Sequence, residues 1–256
     1  MFDIVIPFGP NDVKKLEKMT EYTKQNVLQY RKIFIVSYDA SIEIKDCITI
    51  DEKIFPFHMS HISAFLGKNE RNGWYLQQLL KLYAGIVIPD ILNNYLVIDA
   101  DTFFLKPTAF FTAGGKSAPL PLYNYGTEYH LPYFGHMARL HPSLTKQLNV
   151  SGICHHMLFQ TNRIKELFAL VENYHATTPD PDPFWVIFLK MVSPNDAIRA
   201  GASEYELYFN YLLIYCKNTF EIRPLQWKNA NLFNGENKII DFKSQFDYIS
   251  SHYYLH

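Results

Sequence analysis

The sequence has 256 residues, 48% of them hydrophobic and 19% charged, so it can bury a sizeable core and is too apolar for a disordered chain. Its 24 basic and 25 acidic residues leave a formal net charge of -1 with no long block of one sign. That excludes the footprint of a general nucleic-acid binder but not a small anionic ligand, which needs only a few local charges.

Cys47, Cys154 and Cys216 are odd in number and widely spaced, so neither a disulfide framework nor a zinc knuckle is expected, and a reducing compartment fits. The chain opens directly on an apolar strand, without a basic and apolar leader. Its longest apolar runs are too short to cross a bilayer. The expectation is a soluble, cytoplasmic protein with no transmembrane segment. Aromatic residues reach 16%, with 18 Tyr and 20 Phe. Most must serve as core bulk, while exposed rings suit a sugar pocket, and composition does not separate the two uses.

In chain order, residues 2–7 read as a first strand closed by Pro7-Phe8-Gly9-Pro10, and Asn11 or Asp12 can cap a helix over 13–29. Residues 32–37 form a second strand ending at Tyr38-Asp39, and 47–50 a short third. Continuous apolar strands alternating with helix predict a mostly parallel sheet covered on both faces, an α/β fold. Residues 73–84 read as a helix. Leu76, Leu79, Leu80 and Tyr83 share one face, and Trp74, Gln77, Gln78 and Lys81 form the opposite stripe. That stripe is low in charge for a solvent face and suits a polar ligand. Residues 95–98 are the cleanest strand, ending abruptly in Asp99-Ala100-Asp101. Beyond it, Pro119, Pro121 and Pro132 mark a loop region rich in Tyr, followed by helices over 161–174, around 184–191 and over 202–215. No linker or repeat divides the chain, so one domain over 1–256 is expected.

Asp-x-Asp is weak as a bare pattern, and Asp180-Pro181-Asp182 matches it inside a Pro-rich turn. Asp99 and Asp101 differ by context. They stand at the carboxyl end of a buried strand, where open α/β sheets bind ligands. Two carboxylates one residue apart repel unless a cation compensates, and a hard divalent cation can bridge them to a diphosphate.

The segment Tyr95-Leu96-Val97-Ile98-Asp99-Ala100-Asp101-Thr102 resembles the Asp-x-Asp strand of GT-A nucleotide-sugar glycosyltransferases. The upstream run Trp74-Tyr75-Leu76-Gln77-Gln78-Leu79-Leu80-Lys81 resembles the Trp-x-x-Gln-Gln-x-x-Lys helix of a little-characterised, mostly microbial group of them. Ser203-Glu204-Tyr205-Glu206, His155-His156-Met157 and Ser251-His252-Tyr253 resemble that group's later segments, so the likeness spans nearly the whole chain.

The resemblance implies a Rossmann-like GT-A fold. Residues 1–107 would hold the nucleotide sugar and 108–256 the acceptor, a glycan or other hydroxyl compound. Asp101, Asp99 and His252 would hold Mn²⁺ or Mg²⁺, with a UDP-sugar as the default donor. Pro7, Phe8 and Gly9 would lie by the base and ribose, and Asp39 is a candidate for base recognition. Trp74, Gln78 and Lys81 would line the donor site, with Lys81 neutralising phosphate.

His155 and His156 are adjacent, so only one can face the site, and His156 is grouped with the donor residues. Glu204 and Glu206 are the candidate bases. Two apart on a helix, they point about 160° from each other, which favours Glu204 at the helix start. The rival readings are a nucleotidyltransferase acting on a sugar phosphate and a non-catalytic sugar-binding module. The first strand's loop has one Gly and no nearby Arg, which ranks the nucleotidyltransferase second.

Overall fold

The structure, a computed structural model, describes residues 1–115, 118–230 and 237–251. Chain order is β1 (Phe2–Phe8), α1 (Val13–Asn26), β2 (Tyr30–Ser37), β3 (Ile48–Asp51), α2 (Met59–Leu66), α3 (Asn72–Val87), β4 (Asn94–Ile98), β5 (Thr102–Phe104) and β6 (Leu122–Tyr123). Then come α4 (Leu131–Leu140), β7 (His156–Gln160), α5 (Thr161–His175), α6 (Phe184–Lys190), α7 (Glu204–Tyr215), β8 (Glu221–Ile222), β9 (Trp227–Asn229), α8 (Asn237–Phe242) and β10 (Tyr248–Ser250).

The main sheet has the order β3-β2-β1-β4-β7. Its first four strands are mutually parallel, and β7 joins β4 antiparallel. The architecture is therefore α/β with a mostly parallel sheet, as the apolar strand runs predict. β1 lies in the middle and is buried at every residue, which is why it reads as an unbroken Phe-Asp-Ile-Val-Ile-Pro-Phe run. The one acid inside it, Asp3, is fully satisfied: Arg31 donates to both oxygens at 3.0 and 2.7 Å, and the Lys32 and Leu92 amides also donate. A three-stranded sheet, β5-β10-β9, and a short β6-β8 pair build the remainder.

Buried residues from Phe2 to Ile249 form one continuous cluster. α3 contributes Leu76, Leu79, Leu80 and Tyr83 to it, as its wheel predicts. Two expectations are corrected. The stretch after Pro119 is not all loop, because Pro132 opens α4, whose Tyr133, Met137 and Leu140 are buried. The helix expected over 202–215 begins at Glu204, because Ser203 is its cap: the Ser203 hydroxyl accepts from the Glu206 amide at 3.2 Å. The three cysteines are free thiols, and no helix among the described residues is long and apolar enough to cross a membrane.

Candidate functional site

β4 ends at Ile98, and the turn that follows is pinned from three sides. The Asp99 amide donates to the His155 carbonyl (2.9 Å), the Thr102 amide to the Asp99 carbonyl (3.0 Å), and the Ser251 amide to the Asp101 carbonyl (2.9 Å). The entry of β7 and the exit of β10 thus clamp Asp99-Ala100-Asp101. All three residues line a cleft of about 490 Å³. The opposing walls come from Gly9, Pro10 and Asp12 after β1, from Trp74, Gln77 and Lys81 on α3, and from Ser203, Glu204 and Tyr205 at the start of α7.

A charge network joins these walls. The Lys81 ammonium is buried and lies 2.6 Å from Asp99 Oδ1, 2.7 Å from Glu204 Oε1 and 4.3 Å above the Tyr205 ring. The Tyr205 hydroxyl donates to Asp99 Oδ1 at 2.8 Å. Burial alone would lower the Lys81 pKa, but the two carboxylates outweigh it and raise it. Burial would raise Asp99, yet Lys81 and then His155, whose Nδ1 lies 3.5 Å from Oδ2, hold it well below the usual carboxylate range. Glu204 goes the other way: burial pushes its pKa up, Lys81 opposes, and Asp99 adds to the rise. Asp101 accepts from the Ser250 hydroxyl at 3.0 Å.

Among the described residues, six carboxylates (Asp12, Glu70, Asp99, Asp101, Glu128 and Glu204) and two permanent cations, Arg71 and Lys81, line the cleft. Such a field attracts cations and repels a bare polyphosphate. No group of three His, Cys, Asp or Glu among the described residues is arranged to hold a metal. Of the expected ligands, Asp99 and Asp101 are described, and both line the cleft. A hard ion such as Mg²⁺ is commonly held by one or two carboxylates, with water and substrate phosphate filling the rest, so these residues fit one. His252, the expected third ligand, lies outside the described residues.

Residues 15–221 match the profile of a family of unknown function, DUF6492. The chain belongs to that family. A comparison of the DUF6492 chain with curated proteins returned no match. Among solved structures it is similar to an active-site mutant of LgtC, at 12% identity and a TM-score of 0.41, over 97% of this chain and 86% of that one. It is also similar to mouse xyloside xylosyltransferase 1 in its apo form, at 11% and 0.41, over 99% and 98%. A third is a glycosyltransferase involved in glycosylation of the major capsid of PBCV-1, at 9% and 0.38, over 97% and 92%. At such scores the likeness is no argument about chemistry, which must come from the DUF6492 chain's own residues.

Of the residues singled out from sequence, Gly9, Trp74, Lys81, Asp99, Asp101 and Glu204 line one cleft. Pro7 and Phe8 are buried in β1, with the Phe8 ring stacked on Tyr38 at 6.1 Å. Asp39 lies outside the cleft lining and spends one oxygen on Ser41, accepting from its amide (2.9 Å) and hydroxyl (2.6 Å).

Three more of the residues singled out lie outside the cleft lining. Gln78 is buried behind the cleft, where its Oε1 accepts from the Glu204 amide at 3.1 Å, and Gln77 lines the cleft instead. His156 points into a ring cluster of Phe104, Phe110 and Tyr248, and His155 faces the cleft. His155 precedes β7 and takes a left-handed conformation (φ 63°), so it turns away from the direction of His156 at the strand's first residue. Glu206 is fully buried and bound by the Lys146 ammonium, the Ser151 hydroxyl, the Gly152 amide and the Asn210 amide nitrogen.

Sequence reasoning missed Tyr205 and Tyr133. Tyr205 sits between the two suspected glutamates. Tyr133 opens a Tyr133-x-x-x-Met137-x-x-Leu140 spacing that marks a helix face behind Pro132.

Proposed function

We propose that this chain is a metal-dependent glycosyltransferase of the GT-A type. It moves a sugar from a nucleotide sugar, with UDP the favoured nucleotide, to a hydroxyl of a glycan or other acceptor. The observation that carries this reading is the pairing of Asp99 and Asp101 at the exit of β4 with Lys81 and Glu204 across one acidic cleft. The resemblance of the Asp-x-Asp strand and the Trp-x-x-Gln-Gln-x-x-Lys helix to those enzymes supports it.

Asp99 and Asp101 would hold Mn²⁺ or Mg²⁺, which offsets the charge of the leaving diphosphate when bound. Lys81 and Tyr205 hold Asp99 through Oδ1, and the His155 ring stands beside Oδ2. Glu204 serves an inverting route: as the acceptor oxygen bonds to the anomeric carbon and the bond to the diphosphate breaks, its carboxylate takes the hydroxyl proton. Burial raises its pKa, which makes it a stronger base than an exposed glutamate.

The test is thermal stability against a panel of nucleotides and nucleotide sugars with and without Mn²⁺. A ligand bound only by the folded state adds about 2.7 kcal/mol at a hundredfold excess over Kd. We expect a Mn²⁺-dependent rise with at least one donor, and its loss in Asp101→Ala. No rise with any nucleotide would overturn the reading.

A further inference from the structure

The charge network of the cleft closes into a ring of contacts. Lys81 meets both Asp99 Oδ1 and Glu204 Oε1. Tyr205 follows Glu204 in the chain, and its hydroxyl returns to Asp99 Oδ1. The first turn of α7 is therefore docked on the β4 turn by two consecutive residues, one through a cation and one directly.

Tyr205 is firmly braced. It is only 3% exposed. Its ring stacks on Phe159 of β7 at 6.4 Å and 22°, and Phe159 pairs with Tyr95 on β4, the strand whose exit carries Asp99. The Lys81 ammonium lies over the same ring at 4.3 Å. The Tyr205 carbonyl is so close to Gly152 that a Cβ there would come within 2.6 Å of it. Support and target thus belong to one sheet, and the hydroxyl reaches Asp99 from a side chain with little freedom. A buried tyrosine hydroxyl needs a partner, and for packing alone any carbonyl would serve. This one donates instead to an ionised carboxylate, the stronger acceptor, and to one that lines the cleft beside Asp101.

We infer that Tyr205 is a positioning residue for the metal-binding carboxylate: its hydroxyl, together with Lys81, holds Asp99 in the orientation that takes a divalent cation alongside Asp101. This rests on the transferase reading above, which makes Asp99 a metal ligand. Hydrogen bonds to a ligating carboxylate fix its direction and set the affinity of the site, and their loss commonly weakens metal binding by about 10- to 100-fold. Because Glu204 is the neighbouring residue, the same contact also fixes the spacing between the metal side of the cleft and the proposed base. Tyr205 acts here through Asp99 and not on substrate.

The test is Mn²⁺ binding, read from the EPR signal of the free ion with and without UDP, with Asp101→Ala as the baseline for Mn²⁺ held elsewhere. Tyr205→Phe keeps the ring against Phe159 and under Lys81 and removes one hydroxyl, so it should still melt cooperatively. Tyr211→Phe is the control: on the same helix, Tyr211 donates to Glu166 at 3.1 Å, and neither residue lines the cleft. We expect Tyr205→Phe to weaken Mn²⁺ binding about 10- to 100-fold and Tyr211→Phe to leave it unchanged. Wild-type affinity in Tyr205→Phe, with the Mn²⁺-dependent nucleotide shift intact, overturns the positioning role and leaves the transferase reading standing. Equal weakening in both variants overturns it as well, since the loss then belongs to the helix. A Tyr205→Phe chain without a cooperative melt makes the residue a core support and has the same consequence. A selective loss in Tyr205→Phe, with no nucleotide-dependent thermal shift in the wild type, overturns the transferase reading and leaves Tyr205 in its role at the metal. A wild type that binds no Mn²⁺ overturns both.

Discussion

Glu204 and Glu206 occupy the same first turn of α7 and meet opposite fates. Glu206 is enclosed by four donors, three of which (Lys146, Ser151 and Gly152) tie the 146–152 loop to the helix while Asn210 lies on α7 itself, an arrangement that suits a fastening. Removing one partner of a buried pair strands the other charge, and such losses run at about 3–5 kcal/mol. Glu206→Ala should therefore lower the urea midpoint sharply. Glu204→Gln keeps a side chain of the same shape beside Lys81 and should leave the midpoint nearly unchanged. If the proposed transferase inverts, that variant should lose about 10²–10⁴ in kcat with KM for the donor largely preserved. Unchanged kcat would remove Glu204 as the base.

His156 makes a separate prediction at the same scale. Burial among rings lowers its pKa to about 3, and burial likewise lowers that of His136 to about 4. An unfolded histidine titrates near 6.5, so below that pH the unfolded chain binds protons that the folded chain refuses. Stability is then complete above about pH 6.5 and falls as pH drops toward 4, by about 1.4 kcal/mol per pH unit for each histidine. Urea unfolding across that range should show the slope, and His156→Phe should make it shallower. A slope unchanged in that variant would contradict the assignment.

At the scale of elements, α7 and the loop before β7 approach each other through a glycine. A Cβ on Gly152 would sit 2.5 Å from the Phe209 Cβ and 2.6 Å from the Tyr205 carbonyl, and neither atom is the end of a flexible side chain. Gly152→Ala should cost about 1–3 kcal/mol by overpacking, read by thermal unfolding. It should also weaken nucleotide binding, because the same loop carries His155 to the cleft; wild-type binding in the variant would uncouple the two.

The elements differ in how plainly the sequence declares them. β1, β2 and β4 are legible because a strand covered on both faces must be apolar throughout. α4 is not, because Pro132 signals a loop and a helix start equally well. The left-handed residue His155 just before β7 is invisible to any periodicity, so the choice between His155 and His156 could not be made from spacing. That only one of Glu204 and Glu206 can line the cleft was readable because a helix turns about 100° per residue, and the place of Glu204 at the helix start pointed to that one. Lys81 was placed in the site by its wheel, but its partners were not, since they lie 18 and 123 positions away in the chain.

At the scale of the molecule, the cleft sets an order of events. With carboxylates outnumbering permanent cations among the described residues of its walls, a nucleotide diphosphate is expected to meet repulsion when it arrives alone. Divalent metal should raise the apparent affinity for UDP by about tenfold or more, and added EDTA should reverse the gain in calorimetric titration. Equal affinity with and without metal would mean that Lys81 or Arg71 carries the phosphates instead.

The reversed strand β7 has a consequence for the chain as it is made. β4 pairs with β1 on one side and with β7 on the other, and β7 is synthesised roughly sixty residues later. Until those residues leave the ribosome, β4 has one flank of amides and carbonyls unclaimed beside an apolar surface, the kind of edge that recruits a neighbouring chain. The nascent protein thus passes through a sticky interval that ends only when the backward strand closes the sheet. Slowing translation between β4 and β7 should increase the insoluble fraction.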